Sequence, residues 1–214
     1  MNLLLNIRVI KIQTLKINNK DDFKKYDKLN KLDYDIKINC ELEAKNLKRV
    51  GGNLYIYSQA KLDNLLSIGG NLYIYSQAKL DNLKIVGGYI SFNSQAKLYN
   101  LRIVRGYISV NSQAKLEANN LMIVGGYLCI TSQAKLEAKN LKRVGGDLYI
   151  FSQANLDNLK IVGGDLYLYS HNLKIVGGDL YIYSQAKELI KITIKNKKLK
   201  DTLIKNMVCI QNQK

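Results

Sequence analysis

Residues 53–65 read NLYIYSQAKLDNL, and residues 71–83 read the same letters. Each copy follows a glycine pair, Gly51-Gly52 and Gly69-Gly70. The junction recurs at Gly87-Gly88, Arg105-Gly106, Gly125-Gly126, Gly145-Gly146, Gly163-Gly164 and Gly177-Gly178. Successive junctions lie 18, 18, 18, 20, 20, 18 and 14 residues apart. A near-fixed period of this length marks a stacked repeat. Seven pairs and one single residue account for all 15 glycines. Each is therefore expected to serve a left-handed turn or a close backbone approach.

After every junction the sequence alternates with period two. The apolar set is Leu54/Ile56, Leu72/Ile74, Ile90/Phe92, Ile108/Val110, Leu128/Ile130, Leu148/Ile150, Leu166/Leu168 and Leu180/Ile182. That is a strand with one buried face. Further leucines follow at 62, 80, 98, 116, 136 and 156, and again just before the next junction at 65, 83, 101, 121, 141, 159 and 173. One coil cannot bury so many apolar positions alone, but a stack can. The fold class expected is mainly all-β: a parallel β-solenoid of about eight coils, its strands roughly 4.8 Å apart and the stack on the order of 35–40 Å long. A left-handed hexapeptide helix also uses 18 residues per coil. It needs an apolar residue every six, and Lys84, twelve after Leu72, breaks that rule.

The phrase Leu83-Lys-Ile-Val-Gly-Gly-Tyr-Ile and its relative Leu159-Lys-Ile-Val-Gly-Gly-Asp-Leu resemble leucine-rich-like β-solenoids. The resemblance extends to the receptor L-domain type and to bacterial and phage repeats with a Gly-Gly-x-Leu-x-Ile core. It covers residues 47–186 and implies an architecture, since such solenoids bind unrelated partners. Short coils and the absence of proline depart from the receptor type.

Stacks need caps. Residues 1–46 are the N-terminal cap, 47–186 the solenoid and 187–214 a basic, helical C-terminal cap. Within the first, residues 3–17 suit a strand or two, 21–32 a short helix, and 35–47 a degenerate first coil. Within the last, 188–194 suit a final strand, and 198–210 a helix with Leu199, Leu203, Met207 and Ile210 on one face. The coil after Gly163 is four residues short and is expected to be tightened. The two 20-residue coils carry Glu117-Ala118-Asn119-Asn120 and Glu137-Ala138-Lys139-Asn140 where others have Asp-Asn. Those extra residues are expected to lie away from the strand.

The chain has 214 residues, 47% apolar and 23% charged, which suits a folded domain. No run approaches the roughly 18 apolar residues of a membrane span, and no secretory h-region is evident. Cys40, Cys129 and Cys209 are scattered, without metal-ligand spacing, so reduced thiols in a cytoplasm are expected.

No catalytic constellation is visible, so no enzyme activity and no cofactor or metal is expected. The single histidine, His171, has no partner motif. Acids at 63, 81, 117, 137 and 157 repeat from coil to coil, as a surface stripe does. The glycine pairs lack phosphate-loop spacing.

Tyrosine is the informative residue: the chain has 15. Outward strand positions hold Tyr55, Tyr57, Tyr73 and Tyr75 in early coils, and Tyr149, Phe151, Tyr167, Tyr169, Tyr181 and Tyr183 in late ones. In the middle coils the same columns hold Ser91, Asn93, Ser109, Asn111, Cys129 and Thr131. There the tyrosines move two residues earlier, to Tyr89, Tyr107 and Tyr127, and so stay on the same face. The expected shape is a saddle, with aromatic walls around a small polar floor. Stacking alone would account for a ladder; the change of composition points to a partner-binding face.

The formal net charge is +16. Lys61, Lys79, Lys97, Lys115, Lys135 and Lys187 read as one column beside the acidic stripe, which neutralises it. Lys84, Arg102, Lys142, Lys160 and Lys174 read as another, broken by Met122. The tail 187–214 carries 8 basic and 2 acidic residues, and Lys191, Lys195, Lys197, Lys198 and Lys200 are its polyanion-binding candidates. The expected function is non-enzymatic recognition of a protein or protein–RNA assembly by the tyrosine face. Such a binder would suit a phage-encoded inhibitor of a host defence complex, such as an RNA-guided nuclease. The alternatives are nucleic-acid binding through tail and tyrosines, weak and non-specific, and a structural spacer. No membrane partner is expected.

Overall fold

A computed structural model describes residues 14–111, 113–131, 133–156 and 158–168, together with the backbone of Leu173–Lys174, Leu180–Ile182, Ile190–Ile192 and Met207–Cys209. The strand expected after each glycine junction forms: Leu54–Ile56, Leu72–Ile74 and their equivalents pair in parallel, Leu54 beside Leu72 and Leu128 beside Leu148. Leu54, Leu72 and Leu148 are fully buried in one inward column. The chain is a parallel β-solenoid, with almost no helix among the described residues.

The sequence marks one strand per coil, whereas the structure has three. After Leu54–Ile56 the chain turns a corner into Ala60–Lys61, then another into Ser67–Ile68. Stacking these gives a first sheet of ten strands, a second of eight and a third of ten. Together they surround one core of leucine, isoleucine, valine and alanine. The six-residue rule, broken when counted from Leu72, holds when counted from Val50: Val50, Ile56, Leu62, Ile68, Ile74, Leu80, Val86 and Phe92 are all buried at steps of six. Further inward positions such as Leu54, Ala60 and Leu65 fall between these at unequal steps.

The extra residues of the 20-residue coils lie elsewhere than expected. Glu117 and Glu137 are themselves strand residues, in Lys115–Glu117 and Lys135–Glu137. In the second sheet Gln95 pairs with Lys115, Ala96 with Leu116 and Lys97 with Glu117, 20 residues apart, while Ser91 and Ser109 in the first sheet are 18 apart. The insertion therefore sits at the corner between these sheets. There the Ala114 amide donates to the Asn111 carbonyl, and Gln113 adopts a left-handed φ of 64°. Gln133 does the same at 69°. The core adapts by exchange: the buried pair Ala96 and Leu98 is followed by the buried pair Leu116 and Ala118. The small-large order inverts at nearly constant volume. The leucine and lysine columns read from the letters break at this point.

The N-terminal coil is regular. Leu15–Ile17 and Ile36–Ile38 continue the first sheet, and Lys31–Leu32 starts the third. The helix expected over 21–32 is confined to Asp21–Lys24. Asn19 accepts from the Asp22 amide, and Asp22 accepts from the Asn18 and Asn19 amides, which fixes its start. The helix cannot extend to Leu32, which is buried as a strand residue. Residues 3–13 lie outside those described.

The shortened coil changes the order of sides. Leu173–Lys174 joins the second sheet. Leu180–Ile182, expected in the first sheet, pairs with Ile161–Val162 in the third instead. Four residues fewer leave too little chain to complete both remaining sides, so this alternating segment completes the third. Ile190–Ile192 then extends the first sheet beside Leu166–Leu168, the final strand expected there. Met207–Cys209 is not the end of a helix: it is a strand on Leu180–Ile182. Its Met-Val-Cys sequence suits the open sheet edge that Leu180–Ile182 presents. The rest of 198–210 lies outside the described residues.

Candidate functional site on the tyrosine face

The second glycine of each junction and the residue after it prepare this face. Asn53 Oδ1 accepts from the Asn71 amide at 2.7 Å, Asn71 Oδ1 from the Tyr89 amide at 2.9 Å, and Asp147 Oδ1 from the Asp165 amide at 2.8 Å. A Cβ on Gly70 would lie 2.5 Å from Asn53 Oδ1, and one on Gly164 2.1 Å from Asp147 Oδ1. Glycine there leaves room for the acceptor that joins one coil to the next.

The tyrosines stand in register on this frame. Tyr55 and Tyr73 stack at 4.5 Å and Tyr57 and Tyr75 at 4.9 Å, forming the first wall. Tyr89, Tyr107 and Tyr127 stack at 4.3 Å per step, one column over. Tyr73 meets Tyr89 edge to face, with their hydroxyls in contact, so wall and rim join. Tyr149 stacks on Tyr167 at 4.7 Å in the second wall, next to Phe151. Between the walls the floor is Ser91, Ser109 and Cys129, aligned in the register of the sheet. Ser109 and Asn111 hydrogen-bond side chain to side chain, as do Asn111 and Asn93. Tyr57 and Tyr75 are each 45% exposed and Phe151 41%.

Tyr181 leaves the face, because its backbone pairs with Ile161 in the third sheet. Lys191 takes the position beside Tyr167. At the other end Lys37 Nζ lies 5.1 Å from the centre of the Tyr55 ring, a cation–π contact. The aromatic column thus begins and ends at a lysine position. Tyr169, Tyr183, His171, Lys195, Lys197, Lys198 and Lys200 lie outside the described residues.

The face is electrically quiet. Burial, then the hydrogen bond to Asp147, pushes the Tyr149 hydroxyl up to about 12. Burial, with neighbouring hydroxyls, also raises Tyr55 and Tyr107. These phenols stay protonated donors at neutral pH. Burial raises the Cys129 thiol too, away from the thiolate a nucleophile needs. Among the described residues no group of His, Cys, Asp and Glu could hold a metal ion.

The second face neutralises itself across coils. Lys79 bridges Asp63 at 3.1 Å and Asp81 at 3.5 Å, and Lys115 bridges Glu117 at 2.6 Å and Glu137 at 3.8 Å. The Lys115 and Tyr99 hydrogen bonds hold Glu117 below the usual carboxylate range.

A structural ladder escaped sequence reasoning. Asn46, Asn64, Asn82, Asn100, Asn120 and Asn158 each donate a side-chain amide hydrogen to a backbone carbonyl of the coil before, at 2.6–2.9 Å. The recurring Asn-Leu dipeptide was its signal.

No protein-family model, curated protein or solved structure matches the chain.

Proposed function

We propose that this chain is a non-enzymatic binding protein whose tyrosine face recognises a protein or a protein–RNA assembly. One observation carries the reading: the aromatic columns are interrupted. Stacking between coils favours continuity, since each aromatic pair adds about 0.5–1.5 kcal/mol. Yet Tyr73 is followed in its column by Ser91, Ser109 and Cys129. The result is a contoured surface of exposed phenols around hydroxyl and amide groups, the composition of an interface anchor region. Kinship with leucine-rich-like Gly-Gly-x-Leu-x-Ile repeats, a cytoplasmic setting and a phage-encoded inhibitor of an RNA-guided nuclease are the specific form of this proposal.

Replacing Tyr57, Tyr75 and Phe151 by Ser tests it. The middle coils already carry Asn93, Asn111 and Thr131 at those positions, so the fold should survive. Affinity capture from the host, followed by titration of the purified partner, should show binding lost by at least about a hundredfold, the scale of two or three interface anchors. A folded variant with unchanged affinity leaves the ladder purely structural.

The lysine positions at both ends of the aromatic column favour a second reading, single-stranded nucleic acid on the same face. A salt titration against random RNA separates the two, because phosphate contacts give a slope of about −0.7 per contact.

A further inference from the structure

Among the described residues the third face carries a row of cations without ion-pair partners. Its coils run Lys48-Arg49, Leu66-Ser67, Lys84-Ile85, Arg102-Ile103, Met122-Ile123, Lys142-Arg143 and Lys160-Ile161, each followed by a buried Val or Ile and then glycine or, once, Arg105-Gly106. In these seven coils residues 48–52 and their equivalents thus hold eight cationic residues and no Asp or Glu, while the coil before them adds Lys31 paired with Asp33 at 2.9 Å. No ion pair between described residues engages any of the eight. This contrasts with the second face, where lysines bridge acids coil to coil.

The same face exposes aliphatic side chains. Ile85, Ile103 and Ile123 align in adjacent strands, and Arg143 follows Ile123 in the row. Ile85 and Met122 are 37% exposed and Ile123 38%. The first face buries its apolar side chains inward and shows phenols, but here isoleucine itself faces water. Seven coils at one strand spacing make the face about 30 Å long.

We propose that the third face docks on an anionic lipid bilayer. Its cations complement headgroup phosphates and carboxylates, each worth roughly one factor of five in affinity near a charged surface. Ile85, Ile103, Met122 and Ile123 enter the boundary between headgroups and acyl chains, as the apolar side of an interfacial element does. The lysine and arginine stems reach outward beside them. A nucleic acid would meet the cations but leave the aliphatic row against phosphate, and from Arg49 to Ile161 the outward strand positions of this face hold no aromatic residue for bases to stack on. The expectation of no membrane partner rests on contiguous apolar runs. It does not register a surface assembled from residues 18 to 20 apart.

The test is co-sedimentation of the full chain with vesicles of phosphatidylcholine alone, or with a quarter phosphatidylserine. Binding should require the anionic lipid and weaken with salt. Replacing Arg102, Lys142 and Arg143 by Glu should weaken it by at least about a hundredfold. Ile85→Ser with Ile123→Ser should weaken it about tenfold at every salt concentration. Met122→Ser supplies a milder apolar variant should that pair unfold by circular dichroism. Tyr57→Ser with Tyr75→Ser should leave vesicle binding unchanged, which separates this surface from the tyrosine face. Absence of binding to the anionic vesicles overturns the proposal. So does binding that survives all third-face variants, or binding of random RNA without binding of vesicles.

Discussion

A methyl group added at Gly145 would stand 2.1 Å from the carbonyl oxygen of Gly125, and one at Gly87 equally close to that of Gly69. Glycine at the first junction position therefore relieves the close approach of one coil to the next, although Arg105 holds the same position in one junction. The alternative reason, a left-handed backbone, belongs to Gln113 and Gln133 instead. Gly145→Ala should lower stability by about 1–3 kcal/mol, read from urea unfolding. Tyr149 supplies a pH test. Its hydroxyl is raised from 10 to about 12, so the neutral form is favoured by folding. The associated stabilisation is full below the ordinary value and is lost as pH rises through the folded one. Tyrosinate absorbance should show late-titrating phenols, with a Tyr149 component among them. Tyr149→Phe should remove that component and flatten the alkaline loss of stability; an unchanged titration would mean that Tyr149 is not among the late-titrating phenols.

Each coil turns three corners, and the corner at 111–114 carries the cost of an unusual backbone. Gln113→Gly should stabilise the chain by about 0.5 kcal/mol, the relief of a left-handed side chain less the added freedom of glycine when unfolded. Gln113→Val should destabilise it by 1 kcal/mol or more, by roughly the strain of a branched side chain there. Thermal unfolding of the pair gives the sign of both. The first-sheet strands were legible in the sequence because three-residue alternation such as Leu54-Tyr55-Ile56 recurs with a fixed period. The other two sheets were not. Ala60–Lys61 and Ser67–Ile68 have two residues each, too few for alternation to show, and their one signal, the six-residue step Val50, Ile56, Leu62, Ile68, is missed when the count starts at Leu54 or Leu72. Matching letters also misled: Ser-Gln-Ala-Lys aligns Lys115 with Lys97, but geometry sets Lys115 beside Gln95. The tyrosine columns could be read ahead because they alternate with core residues. The departure of Tyr181 could not, because it follows from chain length in the preceding coil. The cation column Lys84, Arg102, Lys142 and Lys160 was legible too, but Lys174, read as its next member, stands beside Asn155 in the second sheet.

In the whole molecule the three faces divide the chemistry: neutral phenols on one, paired charges on the next, bare cations with isoleucine on the third. Stability in such a stack is a sum of coils and their interfaces. Deleting residues 89–106, one 18-residue period that leaves a Gly-Tyr junction behind, should give a shorter solenoid with the same β spectrum and a lower unfolding midpoint. Deleting half a period should abolish cooperative unfolding, since corners would then fall within sheets. The same arithmetic sets the reach between the two aromatic walls. Tyr73 and Tyr149 share one column with Ser91, Ser109 and Cys129 between them, so they stand four strand spacings apart, about 19 Å. Loss or gain of a coil changes that distance in a single step of about 4.8 Å and leaves both walls pointing the same way. The solenoid is in this sense a ruler with fixed graduations: a partner gripping both walls reads one length only, whereas a partner gripping one wall is indifferent to the number of coils between.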